Sequence, residues 1–189
     1  MHSKLLVVLA ALMLSAPSFA QVQPAAIGRQ TDLGVGGGMD YWRGDWGQIV
    51  RLGPSAWVTA DLWHGLGINA EAHTLIAGGD KTAQRYKYIV GEGGAIYTYH
   101  HWRRFAPYVK YELGFASLDW PHKPTATYVH DTRNTWAMGG GFEYKLWRHV
   151  WVRGDYTYDG FPNFYSPVTR QHRTLDPAGF ALGATYHFK

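Results

Sequence analysis

The chain has 189 residues with 18 Lys and Arg against 14 Asp and Glu, no cysteine, and 16% aromatic residues that include 13 Tyr and 9 Trp. A net charge of +4 without a clustered basic stripe excludes a nucleic-acid partner, and the lack of cysteine excludes both a disulfide framework and a lipid-modified N-terminal Cys. The rings are the more telling feature, because Tyr and Trp concentrate at membrane interfaces.

Met1-His-Ser-Lys4, the apolar stretch Leu5 to Leu14 and the small residues Ser18 and Ala20 describe a secretory signal peptide over residues 1–20, cut after Ala20. Removing Lys4 leaves 17 basic against 14 acidic residues, a mature net charge of +3. Residues 21–30 have no periodicity and are expected to be a short tether. Beyond Ala20 no apolar run approaches the ~18 residues of a spanning helix, and alternating strands dilute their apolar face, so a mean hydropathy of -0.27 does not exclude a barrel.

Residues 31–188 divide into eight stretches with a period of two. The first, about Thr31 to Trp42, sets Leu33, Val35, Met39 and Tyr41 against Gly34, Gly36, Gly38 and Asp40. After a loop from Gly44 to Pro54, the second (Ala56 to Trp63) and third (Ile68 to Ile76) flank a tight turn, His64-Gly-Leu-Gly67, and put Asp61, Glu71 and His73 on their polar faces. A polar loop, Ala77 to Lys87, leads to the fourth, Tyr88 to Tyr99, with Glu92 inward of Ile89, Ala95 and Tyr97. The fifth, Pro107 to Leu118, alternates most cleanly: Val109, Tyr111, Leu113 and Phe115 against Tyr108, Lys110, Glu112 and Gly114.

Asp119 to Arg133, with Pro121 and Pro124, is expected to be a loop. The sixth stretch, Asn134 to Tyr144, carries Glu143 on its polar face, and the seventh, Val150 to Tyr158, carries Arg153 and Asp155. A last loop, Asp159 to Leu175, precedes the closing strand, where Phe180, Leu182, Ala184, Tyr186 and Phe188 share one face and Thr185 and His187 the other.

Eight strands joined by alternately long and short connections predict an all-β, antiparallel, up-and-down transmembrane barrel with its long loops outside the cell. The polar faces then line a lumen holding an ionic network of Glu71, Glu92, Lys110, Glu112, Glu143, Arg153 and Asp155. A soluble lipocalin-type cavity lined by those faces would bury several carboxylates unpaired, at several kcal/mol each, and a soluble fold with them in water would need the opposite faces to form an ordinary core. Two aromatic belts are expected on the outside, Tyr41, Tyr88 and Tyr158 at one level and Tyr97, Tyr144, Tyr186 and Phe188 at the other.

Gly-Gly-Gly-Met-Asp-Tyr-Trp-Arg at 36–43, Phe-Ala-Pro-Tyr-Val-Lys at 105–110, Ala-Met-Gly-Gly-Gly-Phe-Glu-Tyr at 137–144, Val-Arg-Gly-Asp-Tyr at 152–156 and the closing strand resemble the small outer-membrane barrels related to OmpA, OmpX and the opacity proteins. The resemblance implies an eight-stranded barrel in the bacterial outer membrane, in contact with membrane lipid and lipopolysaccharide. It also implies a terminal strand read by the outer-membrane assembly machinery, although Lys189 stands where the family usually ends in Phe.

Function is less determined. The loops mix rings with cations, Trp46, Arg51, Arg85, Trp120, Lys123, Arg170 and Arg173, which marks a possible surface-contact region for an unknown ligand on a monomer. A lipid A hydrolase is the enzymatic rival, but beyond Ala20 only Ser55, Ser117 and Ser166 are available, and none sits in the His-x-Ser pattern of that family. Ser117, Asp119 and His122 lie close in sequence, as do Ser166 and His172, without a nucleophile–base motif. Adjacent His100 and His101 and the glycine runs match no metal or nucleotide motif, so no cofactor and no metal are expected. The reading is a non-enzymatic structural or adhesion-like barrel with a side-chain-filled lumen, against a lipid A-modifying enzyme or a narrow solute pore.

Overall fold

The computed structural model describes residues 32–43, 50–77, 86–122, 127–166 and 171–188. The expected signal peptide (1–20) and tether (21–30) lie outside them. Nine antiparallel strands follow one another: β1 (Asp32–Arg43), β2 (Val50–Trp63), β3 (Leu66–Ala77), β4 (Tyr86–Thr98), β5 (Phe105–His122), β6 (Thr127–Lys145), β7 (Val150–Ser166), β8 (Gln171–Leu175) and β9 (Ala178–His187). Each strand from β1 to β7 pairs with the next, β7 pairs with β9, and β9 returns to β1 in register from Gly34↔His187 to Arg43↔Ala178. The sheet is thus a closed barrel of eight staves. β8 is the upper part of the eighth stave, separated from β9 at Asp176 and Pro177 and paired only with the end of β7.

At one end His64 and Gly65, with φ of 50° and 87°, form the two-residue turn whose left-handed backbone suits the twist of a hairpin. The other connections at this end, residues 99–104 and 146–149, are tied together by the Lys145 amide donating to the Arg104 carbonyl at 2.9 Å. At the opposite end the expected long loops are shorter than the sequence suggests, because the hairpins run on as strands. Asp119 to His122 and Thr127 to Arg133 pair as β5 and β6 instead of forming a loop, and Asp159 to Leu175 supplies the end of β7 and all of β8. Pro121 is tolerated because the pairing of β4 with β5 ends at Lys87↔Asp119. Beyond it β5 has one neighbour, and a missing N–H can face the open side. Val50 to Pro54 likewise join β2, whose pairing with β3 skips Gly53 and Pro54.

Burial is inverted relative to a water-soluble core. Val109, Leu113, Phe115, Phe180 and Leu182 are each at least 60% exposed, whereas Lys110, Glu112, Arg153 and Asp159 are at most 3% exposed. An outward surface this apolar exceeds by far the patches a soluble monomer tolerates. Tyr41, Tyr97, Tyr144, Tyr158, Tyr186 and Phe188 face outward. Tyr88 does not: it is 2% exposed inside the barrel and donates to Asp159 at 3.0 Å, so the expected upper belt loses that ring. Its orientation follows from alternation along β4, which puts Tyr88, Val90 and Glu92 on one inward row, opposite the inward Leu75 and Glu71 of β3.

Candidate functional site

Period-two alternation puts the even residues of β5 and the odd residues of β3 and β7 on the inner wall, and barrel closure brings their long side chains together across the lumen. The centre is the Arg153 guanidinium. It donates to Asp155 Oδ2 at 2.7 Å, to Glu71 Oε2 at 3.2 Å and to Thr59 Oγ1 at 3.5 Å. It lies between the faces of Trp57 and Tyr108, 4.8 Å from each ring centroid, which combines charge pairing with cation–π contact.

Lys110 Nζ is paired with Glu71 and lies 3.3 Å from both Glu112 Oε2 and Asp155 Oδ2. Asn69 uses its amide to reach Glu112 Oε1 at 2.8 Å and Glu71 Oε2 at 3.1 Å. Asp155 is held further by the hydroxyls of Tyr108 at 2.5 Å and Thr157 at 2.8 Å. Six of the seven residues singled out for the lumen are therefore in ionic contacts, Glu71, Lys110, Glu112, Arg153 and Asp155 at the centre and Glu143 lower down. Glu143 accepts from Thr185 at 2.8 Å and faces His187 Nε2 at 3.1 Å, while the other ring nitrogen of His187 is 3.1 Å from Asp32. The seventh, Glu92, has no ion pair with Lys110 or Arg153 among those of the described residues, and neither of its oxygens has a hydrogen-bond partner there.

Toward the loop end the character changes. Trp42, Leu75, Tyr88, Val90, Ala116, Leu118 and Phe161 form a buried apolar layer across the barrel. Just beneath it Ser55 donates to Asp40 Oδ1 at 2.6 Å, and His73 Nδ1 meets Asp40 Oδ2 at 2.5 Å. Ser, Asp and His are thus linked, but not as a nucleophilic triad, which needs the hydroxyl on the imidazole; here it is on the carboxylate. His73 Nε2 instead points to Glu71, 3.3 Å away. Glu71, His73 and Glu92 are the described residues whose donor atoms, within 4.8 Å of one another, could hold a metal ion.

Of the loop residues, Trp46, Arg85, Lys123 and Arg170 lie outside the described residues, and Trp120 and Arg173 are described by their backbone pairing alone, opposite Val129 and Phe164. Arg51 is half-buried, with its guanidinium 5.8 Å from the centroid of Tyr88. Ser117 is half-buried within β5 opposite Thr132, in a regular strand and not at the mouth of a loop. Sequence reasoning missed Asp40–Ser55–His73 and the two rings around Arg153. Parity placed Tyr108 on the inner wall with Lys110 and Glu112 and could have placed Trp57 there too; it could not show that both rings meet Arg153.

A closed antiparallel barrel, apolar outside and ionic inside, defines a transmembrane β-barrel. The chain matches the outer membrane protein beta-barrel domain over residues 6–188 and belongs to that family; its place is the bacterial outer membrane. Among solved structures it is similar to Neisserial surface protein A, with a TM-score of 0.64 and 11% identity over 82% of this chain and 96% of that one. It is also similar to Ail, the attachment invasion locus protein of Yersinia pestis, at 0.61 and 13% over 85% and 100%, and to OprG of Pseudomonas aeruginosa, at 0.57 and 12% over 85% and 97%. At these identities the likeness is one of fold. No curated protein matches the sequence.

Proposed function

We propose that the chain is a non-enzymatic outer-membrane scaffold with a filled, non-conducting lumen, which presents its loop end as a surface-contact region. The observation that carries this reading is the interior itself: the Lys110–Arg153 network crosses the barrel beneath the apolar layer of Trp42, Leu75, Val90, Leu118 and Phe161. An eight-stranded barrel has an interior just wide enough for its own side chains. The bonding of Ser55 to Asp40, and not to His73, speaks against acyl-transfer chemistry within the lumen.

The basic and aromatic residues toward the loop end, Trp46, Arg85, Lys123 and Arg170 with Arg51, Trp120 and Arg173 in the loop-end parts of β2, β5 and β8, suit an anionic partner, lipopolysaccharide phosphate or a sulfated glycan, bound by a monomer. Ail has been solved in complex with the heparin analogue sucrose octasulfate, and the shared fold makes that class of ligand a reasonable first probe. Delivery to the membrane by the outer-membrane assembly machinery belongs to the same proposal.

Planar-bilayer recording of the purified protein tests the filled lumen. No discrete open level is expected, and stable single-channel steps would replace the scaffold by a pore. A lipid A mass spectrum that changes on expression of the protein would replace it by an enzyme.

A further inference from the structure

We infer that the lumen holds a binding site for one divalent first-row transition metal ion, with His73 and Glu92 as principal ligands and Glu71 as the third. The first argument is the donor geometry. The imidazole Nε2 of His73 lies 3.3 Å from Glu71 Oε1, and donor atoms of all three residues lie within 4.8 Å of one another. A zinc ion held at ~2.0–2.2 Å by tetrahedral donors separates them by roughly 3.4 Å, so only Glu92 has to close in. One imidazole with two carboxylates suits a borderline ion such as Zn²⁺ better than Mg²⁺ or Ca²⁺.

The second argument is how the histidine is held. Metal-bound imidazoles present one nitrogen to the ion and give the other N–H to a carboxylate, which fixes tautomer and ring orientation. His73 has this arrangement ready: Nδ1 is 2.5 Å from Asp40, Asp40 is fixed in turn by Ser55 at 2.6 Å, and Nε2 is left for the ion. His73 Nε2 makes no well-aligned hydrogen bond among the described residues, and its nearest acceptor is Glu71 Oε1 at 3.3 Å.

The third argument is unanswered charge. Glu71 and Glu92 are direct cross-strand partners, a placement that is unfavourable for two like charges. Lys110 and Arg153 are both engaged with Glu71, and neither is paired with Glu92, which is 5% exposed with both oxygens unpartnered. Among the described residues, Asp40, Glu71, Glu92, Glu112, Glu143, Asp155 and Asp159 are buried, and the buried basic side chains are Lys110, Arg153 and the imidazoles of His73 and His187, none of which forms an ion pair with Glu92. A divalent ion bound by Glu92 beside Glu71 supplies positive charge next to the carboxylate that neither cation pairs. The signal was present in the sequence as Glu71-x-His73 on one inner face with Glu92 at the paired position, but it becomes visible only once the register is known.

The site lies under the apolar layer, with the Trp42 ring 5.8 Å from His73, so the ion is loaded as the barrel closes. The test is therefore to refold the chain into detergent micelles with Zn²⁺, remove free metal on a desalting column, and measure bound zinc by mass spectrometry. About one zinc per chain is expected for the wild type. His73→Gln and Glu92→Gln are expected to lose it while keeping the heat-dependent gel shift of a folded barrel. A His100→Gln, His101→Gln variant, altered only at the exposed turn, is expected to retain it. Asp40→Asn keeps all three ligands and is expected to weaken zinc roughly 10–100-fold in a chelator competition. A wild type that retains no zinc overturns the proposal, as does zinc retained in full by folded His73→Gln or Glu92→Gln. Should neither of those fold, an Asp40→Asn affinity equal to the wild type's overturns it.

Discussion

Arg153→Ala is the perturbation whose cost the structure allows to be worked through. It deletes charge-assisted bonds to Asp155 at 2.7 Å and Glu71 at 3.2 Å and the stacking on Trp57 and Tyr108, from a side chain only 2% exposed. Breaking a buried ion pair from one side costs about 3–5 kcal/mol, chiefly because the other charge is stranded. Here the stranding is partial. Asp155 keeps the hydroxyls of Tyr108 and Thr157, and Glu71 keeps Lys110 and Asn69. The expected loss is therefore at the lower end, about 3 kcal/mol. Arg153→Lys keeps the charge but loses the planar fork and the two-sided stack, and is expected to lose about 1–2 kcal/mol. Urea titration of the barrel in micelles, followed by the folded and unfolded gel bands, measures both by linear extrapolation. An Arg153→Ala barrel within about 0.5 kcal/mol of wild type would show that the guanidinium is not what balances these carboxylates.

The closing seam and the orientation of the barrel give two further tests. Gly36, on β1 beside β9, leaves the space in which the Trp57 indole lies, so Gly36→Val must displace the ring from Arg153 and is expected to cost about 1–3 kcal/mol in the same titration; an unchanged midpoint would refute the close packing of the seam. An epitope inserted at Lys81 or Lys123 is expected to be labelled on intact cells, and one at Arg148 only after the outer membrane is permeabilised; the reverse result would invert the topology.

The inner and outer faces were legible from sequence because alternation is a local property: Val109 to Phe115 and Phe180 to Phe188 need no knowledge of their neighbours. Tyr88 shares the parity of Glu92 and so turns inward by the same alternation; placing it in an interface belt followed its position at a strand end and overlooked that parity. What depended on register was not legible. The loops were overestimated for a related reason. Pro121 and the Gly160-Phe-Pro162 stretch after Asp159 carry breaker residues, yet a hairpin already zipped from below continues as long as the missing donor faces an open edge. The link from Ser55 through Asp40 to His73 joins β2, β1 and β3, three staves whose contacts appear in no spacing along the chain.

The central network also bears on how the barrel holds together. Each backbone ladder joins a stave to its immediate neighbours, and a ladder alone could form before the barrel closes. Arg153 on β7 reaches Glu71 on β3, and Lys110 on β5 reaches both Glu71 and Asp155 on β7, so these bonds join staves that share no ladder. The Lys110 pairs each reach over one intervening stave, but Arg153 and Glu71 have three staves between them in either direction and can meet only after closure has brought opposite walls within a side chain's length. Until then each carboxylate and each cation remains hydrated, and the charge imbalance of the interior costs little. Closure removes that water and makes every unpaired charge expensive, so the same event that seals β1 to β9 forces the cross-lumen pairs to form. A partly closed sheet gains at most the Lys110 pairs and a fully closed one gains the Arg153 pair to the opposite wall as well, which makes closure of the barrel cooperative.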